Sequence, residues 1–199
     1  MSRIIAGDLK SLTLAAPANS TRPTSDRVRE SLFAVLESQG WLSQSDSVLD
    51  LYCGTGALAL EAISRGVSHA TLVDESSAAI EVTKNNCKKI QAALAKQTDK
   101  ARVVTLKPVR AKVASWLRQN QVQKFDLVFA DPPYDLSDAD MWQQLNEIGQ
   151  VMAEGALLVV ERSKRRVVVT QPDWLAPVFG RFWGDTEVSG YRLRSEGPT

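Results

Sequence analysis

The chain has 199 residues, of which 44% are hydrophobic, and this length and composition favour one folded domain with a packed core over a disordered chain. Two cysteines and one histidine are too few for a disulfide scaffold, a cysteine-rich zinc site or a histidine-based catalytic triad. No apolar run approaches the ~18 residues of a membrane span, and the first residues lack the apolar core of a signal peptide. We therefore expect a cytoplasmic protein that has no contact with a membrane.

Basic and acidic residues are balanced in number but separated along the chain. The sequence has 24 Lys and Arg against 23 Asp and Glu, which gives a formal net charge of +1. Residues 83–124 contain eleven basic residues and one acid, whereas residues 125–161 contain eight acids and no base. Two interpretations stay open: a lysine-covered solvated helix beside an acidic one, or separate charged faces, one of which suits a polyanion.

Turn-forming residues divide the sequence into an N-terminal extension, residues 1–25, and a main domain, residues 26–199. Residues 15–25 are rich in Pro, Ser and Thr and predict a loop. The preceding residues have room for a small hairpin. After the loop, apolar residues recur with the helical period over residues 26–39 and predict a helix that ends at Gly40.

The main domain then alternates short apolar strands with helices. Strands are predicted at Ser47–Leu51, Ala70–Val73, Arg102–Leu106, Leu127–Ala130 and Ala156–Val160. Helices are predicted at Ala57–Arg65, Ser76–Ile90, Val113–Gln119 and Asp138–Met152. Two more strands, joined by a turn at Gly184 and Asp185, are predicted at Phe179–Trp183 and Glu187–Leu193. The fold class is therefore α/β: a Rossmann-like, mostly parallel sheet of seven strands, with a C-terminal antiparallel hairpin and helices on both faces.

The first strand of the main domain leads into a loop that contains glycines at positions 54 and 56. Glycines let the backbone turn tightly beside a ligand, and the helix that follows presents free N–H groups. Ala59 stands where a dinucleotide-binding fingerprint has its third glycine, and Asp50 precedes the loop. A carboxylate at that position suits a cationic or amino-bearing ligand, and Asp74 has the place of an acid that accepts from ribose hydroxyls. The alternative is a plain turn before a helix.

The fourth strand ends in Asp131-Pro132-Pro133-Tyr134, and the carboxyl ends of parallel strands are where open α/β sheets bind ligands. Two prolines fix the backbone, so the carbonyl of Pro132 is held in one direction. Asp131 and this carbonyl are both acceptors, and together they can hold the two protons of an exocyclic amine. Tyr134 offers a ring on which a base can stack. The alternative is a strand that the prolines simply terminate.

These motifs together resemble the class I S-adenosylmethionine-dependent methyltransferases that modify exocyclic amines. Two N-terminal segments, Arg3-Ile4-Ile5-Ala6-Gly7 and Arg22-Pro23-Thr24-Ser25-Asp26-Arg27-Val28-Arg29-Glu30-Ser31-Leu32-Phe33, resemble in particular the RsmD family. Members of that family are bacterial enzymes that act on guanine N2 of small-subunit ribosomal RNA. The resemblance covers essentially the whole chain. It implies a monomeric enzyme without a metal, S-adenosylmethionine as cofactor, and ribosomal RNA or the small ribosomal subunit as partner.

The resemblance also implies which residues form the cofactor site. Asp50 and the backbone at Gly54 and Gly56 would hold the methionine part of the cofactor, and Asp74 its ribose. Residues that follow the third strand would border the adenine; these are Arg110 and Ala111. The cofactor site would be completed by neighbours of the same two loops: Tyr52, Thr55 and Glu75.

The catalytic and RNA-binding residues are likewise implied by the resemblance. Asp131, Pro132 and Tyr134 would be catalytic. Four arginines of the N-terminal signature would contact RNA: Arg3, Arg22, Arg27 and Arg29. A solvated helix face is the alternative for the last three.

Other functions are compatible with parts of the sequence. An adenine-N6 methyltransferase of DNA or RNA would have a similar sheet and a similar loop after the fourth strand, but the chain leaves little length for a target-recognition domain. A non-catalytic RNA-binding assembly factor could use the same fold, although the intact Asp131-Pro132-Pro133-Tyr134 motif argues against it. A nicotinamide oxidoreductase is disfavoured by Asp50 and by the missing third glycine.

Overall fold

The computed structural model describes residues 2–16, 26–97, 102–132, 138–163 and 172–194. Helices in this part of the chain are α1 (Asp26–Ser38), α2 (Trp41–Gln44), α3 (Ala57–Ser64), α4 (Ser77–Leu94), α5 (Val113–Gln119) and α6 (Asp138–Gly149). Strands are β1 (Ser2–Arg3), β2 (Thr13–Leu14), β3 (Ser47–Leu51), β4 (His69–Asp74), β5 (Thr105–Arg110), β6 (Phe125–Ala130), β7 (Met152–Ser163), β8 (Leu175–Trp183) and β9 (Thr186–Leu193).

Seven strands form one sheet in the order β5-β4-β3-β6-β7-β9-β8. Neighbours from β5 to β7 run parallel, whereas β9 is antiparallel to both β7 and β8. Buried apolar side chains cover both faces, because alternate strand residues point in opposite directions. One cluster joins the sheet to α1, α3 and α4, and the other joins it to α5 and α6. These observations confirm the predicted α/β fold with helices on both faces.

The strand order reverses between β3 and β6. From β3 the chain moves outward through β4 to β5, and it then returns to β6 on the other side of β3. Leu51 of β3 pairs with Val73 of β4 and with Ala130 of β6. The loops that follow these three strands therefore leave the sheet side by side. Such a reversal opens a crevice at the carboxyl ends of the strands, where open α/β sheets bind ligands.

The third predicted strand is displaced along the sequence. It was expected at residues 102–106 but spans Thr105–Arg110, with Pro108 paired to Leu72. Proline is tolerated here because β5 is the edge strand of the sheet and its outer side needs no ladder hydrogen bonds. Arg102 lies before the strand and donates to the carbonyls of Ile63 and Val67, at the end of α3.

The N-terminal residues form a small antiparallel hairpin of β1 and β2. Ile4, Leu9 and Leu14 from this segment are buried in the same cluster as α1, α3 and α4. Glu61 of α3, which is fully buried, accepts hydrogen bonds from the backbone N–H groups of Ile5 and Ala6 at 2.7 and 3.0 Å. The hairpin is thus fastened to the helical layer by apolar packing and by a buried carboxylate.

Candidate active site

Three loops meet where β4, β3 and β6 end. The loop of residues 52–56 follows β3 and lies between Asp74 at the end of β4 and Asp131 after β6, because these strands are neighbours in register. Sequence reasoning predicted residues in all three loops, and the sheet brings them to one crevice. The pairing of Asp74 with Arg110 adds the end of β5 to the same edge.

The loop after β3 has an unusual backbone. Tyr52, Gly54 and Gly56 have φ angles of 59°, 55° and 76°. A non-glycine residue in this left-handed region is strained, and such strain is concentrated at functional sites. A Cβ atom at Gly56 would lie 2.7 Å from Cδ2 of Leu72, whereas a Cβ at Gly54 would meet no atom within 4 Å. Gly56 therefore permits close packing against the sheet, and Gly54 faces open space.

Side chains of α4 hold this loop from behind. The hydroxyl of Thr83 donates to the carbonyl of Gly54 at 2.8 Å, and the amide of Asn86 donates to the carbonyl of Thr55 at 3.0 Å. Both side chains are fully buried. Sequence reasoning missed these two residues. A signal existed, because they are polar residues on the apolar stripe of α4 that Ile80 and Ile90 mark.

Asp50 lies beneath the loop and is only 2% exposed. Its Oδ2 accepts a hydrogen bond of 3.2 Å from the backbone N–H of Ala59, in the first turn of α3. Burial raises the pKa of this carboxyl well above its ordinary value, and the nearby charges of Asp131 and Asp74 raise it further, while the Ala59 hydrogen bond opposes the rise. A cation bound above the loop would therefore favour the ionised form of this buried carboxyl.

Asp74 organises the loops on either side of it. Its Oδ2 accepts from the N–H of Gly54 at 2.9 Å, and its Oδ1 accepts from the N–H of Ser76 at 2.8 Å. Each carboxylate oxygen has a second acceptor site, so these bonds leave capacity for ligand hydroxyls. Its carbonyl accepts from Ala111 N–H at 3.0 Å. Arg110, which is expected near the adenine, also lies close to Glu75, because its guanidinium donates to the carbonyl of Glu75 at 3.4 Å.

Asp131 and Pro132 lie directly after β6, and Pro132 is buried. Burial raises the pKa of Asp131 from 3.8 to about 7, and the charge of Glu161 adds to the rise. Glu161 follows Val160 within β7, and Val160 pairs with Ala130, so Asp131 and Glu161 stand at adjacent positions along neighbouring parallel chain segments. Sequence reasoning did not single out Glu161. Tyr134, the third expected catalytic residue, lies outside the described residues.

Tyr52 connects the glycine loop to α6. Its hydroxyl donates to Oε1 of Gln144, a residue that is buried on that helix. Burial raises the pKa of Tyr52 to about 12, so the hydroxyl keeps its proton and remains a donor at neutral pH. Gln144 was not expected from the sequence. This bond positions the helix that follows the Asp131 loop against the loop that follows β3.

The N-terminal arginines have different environments. Arg3 and Arg27 are exposed and line a cavity of about 350 Å³ between the hairpin and α1, together with Lys10. Arg22 lies outside the described residues. Arg29 is the residue for which the sequence-based expectation is wrong.

Arg29 is 1% exposed and therefore cannot present its charge to RNA. Its guanidinium donates to Asp26 at 2.9 Å and to the carbonyl of Arg3 at 2.6 Å, and it lies 3.9 Å from the Glu61 carboxylate. The sequence of α1 suggests a solvent-exposed arginine, but Arg29 is buried because the hairpin covers that face of the helix. The residue fastens the extension to the helical layer.

Within the described part of the chain, no three His, Cys, Asp or Glu side chains are grouped so that they could hold a metal ion. None of the helices in the described segments is both long enough and apolar enough to cross a membrane.

Comparisons with known proteins agree with this geometry. Residues 2–192 match the model of a family described as conserved hypothetical protein 95. The chain is 36% identical over 160 residues to the putative rRNA methyltransferase YlbH of Bacillus subtilis, which covers 76% of this chain and 81% of that protein. It is 32% identical over 174 residues to ribosomal RNA small subunit methyltransferase D of Escherichia coli, covering 85% of this chain and 79% of that protein. The solved structure of the putative methyltransferase yhhF from E. coli superposes with a TM-score of 0.77 at 27% identity, over 98% of this chain and 99% of the other.

Proposed function

The chain belongs to the conserved hypothetical protein 95 family, the RsmD family, and on that premise we propose that it transfers a methyl group from S-adenosylmethionine to ribosomal RNA of the small subunit. We further propose that the acceptor is the exocyclic N2 amine of a guanine. The observation that carries this function is the meeting of Asp50, Asp74 and Asp131 around the glycine loop, at the reversal of the strand order. The enzyme acts as a monomer in the cytoplasm, where its RNA substrate is found.

The crevice fits S-adenosylmethionine in its donor and acceptor groups. Open space beside Gly54 leaves room for a ligand against the backbone, and Asp74 retains acceptor capacity for the ribose hydroxyls. Asp50 would attract the cationic amino acid part, while Arg110 and Ala111 would border the adenine. When bound, this cofactor supplies an electrophilic methyl group on a sulfonium.

Asp131 and Pro132 would activate the acceptor nitrogen. An amine attached to an aromatic ring is a poor nucleophile, because its lone pair is delocalised into the ring. Acceptors at the Asp131 carboxylate and the Pro132 carbonyl favour the pyramidal, more nucleophilic nitrogen, and this stabilisation is realised chiefly in the transition state. A carboxyl whose pKa is about 7 is also suited to take up the proton that the amine releases. The base must leave its stack to reach this crevice, which favours a loop nucleotide.

The RNA would also contact the N-terminal side of the molecule. Arg3 and Arg27 line one cavity with Lys10, and their charges face solvent at the side of the extension. Arg22 follows in the sequence between the hairpin and α1. We propose that these residues hold phosphates of the RNA, whereas Arg29 supports them from inside.

The decisive experiment is transfer of labelled methyl groups to naked ribosomal RNA, small ribosomal subunits and DNA in parallel, followed by nucleoside digestion. The proposed function predicts N2-methylguanosine from the small-subunit RNA. Recovery of N6-methyladenosine would instead establish the adenine-N6 alternative, and no transfer to any substrate despite cofactor binding would support the non-catalytic assembly factor.

The role of Asp131 is tested in the same assay. Asp131→Ala should lower turnover by at least ~100-fold, the scale for a positioned acid or base, and leave cofactor affinity nearly unchanged. Glu154→Gln is a matched control, because Glu154 is exposed near the amino-terminal end of β7. Near-normal turnover in the alanine variant would refute the role of Asp131.

A further inference from the structure

Asn86 of α4 contacts two segments that are far apart in the sequence. Its Nδ2 donates to the carbonyl of Thr55, in the glycine loop, at 3.0 Å. The same Nδ2 donates to the carbonyl of Ala15 at 3.1 Å, and its Oδ1 accepts from the N–H of Ala15 at 2.8 Å. Ala15 directly follows the hairpin strand β2. One side chain therefore joins the N-terminal extension to the loop that would hold the cofactor.

These bonds form a stiff connection. An asparagine amide has two donor hydrogens and a carbonyl oxygen, and all three are used here for backbone groups. The side chain is fully buried, so water cannot replace a lost bond. Loss of the amide would leave backbone groups of both segments without their partner, which is costly in a buried site.

Other contacts fasten the extension at a different place. Glu61 and Ser64, near the end of α3, receive the N–H groups of Ile5, Ala6 and Leu9. The bonds of Asn86 instead reach the loop that precedes α3. Asn86 is therefore bonded both to Ala15 of the extension and to Thr55 of the loop, and a displacement of either segment would be transmitted to the other through this side chain.

We infer that Asn86 is a positioning residue that couples the N-terminal extension to the cofactor loop, so that occupancy of the loop orders the extension and RNA held by the extension orders the loop. This inference rests on the proposed cofactor site. The coupling is reciprocal, because two ligands that stabilise one shared arrangement must each raise the affinity for the other. This coupling would favour simultaneous binding of the cofactor and the RNA.

Hydrogen exchange followed by NMR tests the coupling without RNA. S-adenosylhomocysteine is added to the wild-type chain, and exchange is measured at the amides of Gly54, Leu14 and Ala15. We expect slower exchange at Gly54 and, through Asn86, slowing of about fivefold or more at Leu14 and Ala15. In Asn86→Ala, the slowing should persist at Gly54 and disappear in the extension.

Thr83→Val is the matched control. Thr83 also holds the loop, through the carbonyl of Gly54, and none of its hydrogen bonds in the described part of the chain reaches the extension. This variant should bind S-adenosylhomocysteine more weakly and still transmit the slowing to Leu14 once the loop is saturated. Loss of transmission in Thr83→Val as well would overturn the specific role of Asn86.

A second variant approaches the connection from the other side. Ala15→Pro removes the N–H group that donates to Oδ1 of Asn86. The bond from Nδ2 of Asn86 to the carbonyl of Thr55 stays possible. Because the bond from Nδ2 of Asn86 to the carbonyl of residue 15 stays possible, the variant should reduce the slowing at Leu14, and it decides the question if Asn86→Ala does not fold. Unchanged slowing at Leu14 in either variant, or none in the wild type, would overturn the inference. Slowing at Leu14 without any methyl transfer to RNA would leave the coupling intact and overturn only the proposed substrate.

Discussion

Replacing Asp131 with asparagine should stabilise the protein above neutral pH while it removes activity. The carboxyl is largely buried beside Glu161, and its pKa rises from 3.8 to about 7 in the folded chain. A shift of about three pH units corresponds to about 4 kcal/mol at 1.36 kcal/mol per unit. This figure is an upper bound, because Asp131 is only partly removed from solvent and water screens some of the repulsion.

The sign follows from proton binding. Below pH 4 the carboxyl is protonated in both the folded and the unfolded chain, and its contribution to stability is fully present. As the pH rises toward 7, the unfolded chain loses this proton while the folded chain keeps it, so the free energy of unfolding falls. Above pH 7 the folded chain carries a buried charge, and the loss is complete. An asparagine does not titrate, so Asp131→Asn avoids that loss.

Urea unfolding from pH 4.5 to 8.5 measures this effect. The unfolding free energy of Asp131→Asn minus that of the wild type should increase through this range, by up to about 3 kcal/mol because part of the change already occurs below pH 4.5, and level off above pH 7. Glu154→Gln, at an exposed position, controls for the removal of one carboxylate. A difference that stays constant with pH would refute the raised pKa and with it the argument that Asp131 is poised to accept a proton.

Three further predictions concern other parts of the site. Glu61→Ala removes a buried carboxylate and leaves Arg29 and Arg65 without this partner, so it should lower the free energy of urea unfolding by about 3–5 kcal/mol. Glu37→Ala, at the exposed end of the same network, should lower it by less than about 1 kcal/mol. Gly54→Ala should lower the affinity for S-adenosylhomocysteine and lose only the ~1–2 kcal/mol of stability that backbone strain costs. Gly56→Ala should lose far more stability, because its Cβ would lie 2.7 Å from a carbon of Leu72. Equal losses of stability in the two variants would contradict this distinction. Glu161→Gln removes a like charge beside the carboxyl of Asp131, so the acidic limb of kcat/KM should move to lower pH, and an unmoved limb would show that this charge does not act there.

Local sequence pattern determined the fold and the positions of the central loops. Apolar strands such as Ser47–Leu51 are short and nearly continuous because the sheet is covered on both faces, so the presence of these strands and their mostly parallel pairing are predictable without a structure. The glycines at 54 and 56 lie in the short loop after β3, and Asp74 ends β4, so these are likewise local features. Edge strand β5 was displaced because Pro108 interrupts a strand pattern, and only its place in the sheet decides that it is allowed.

Tertiary structure alone decided which polar residues act on one another. Arg29 sits in a polar helix sequence, yet the hairpin covers it, and its burial turned an expected RNA contact into an internal support. Asn86 and Glu161 meet their partners across separations of 71 and 30 residues along the chain, which no local period encodes. Secondary structure depends on neighbours within a few residues, and the sequence displays these directly. The charge, burial and hydrogen bonding of a site depend on which strands and helices become neighbours, and that is established only when the sheet forms.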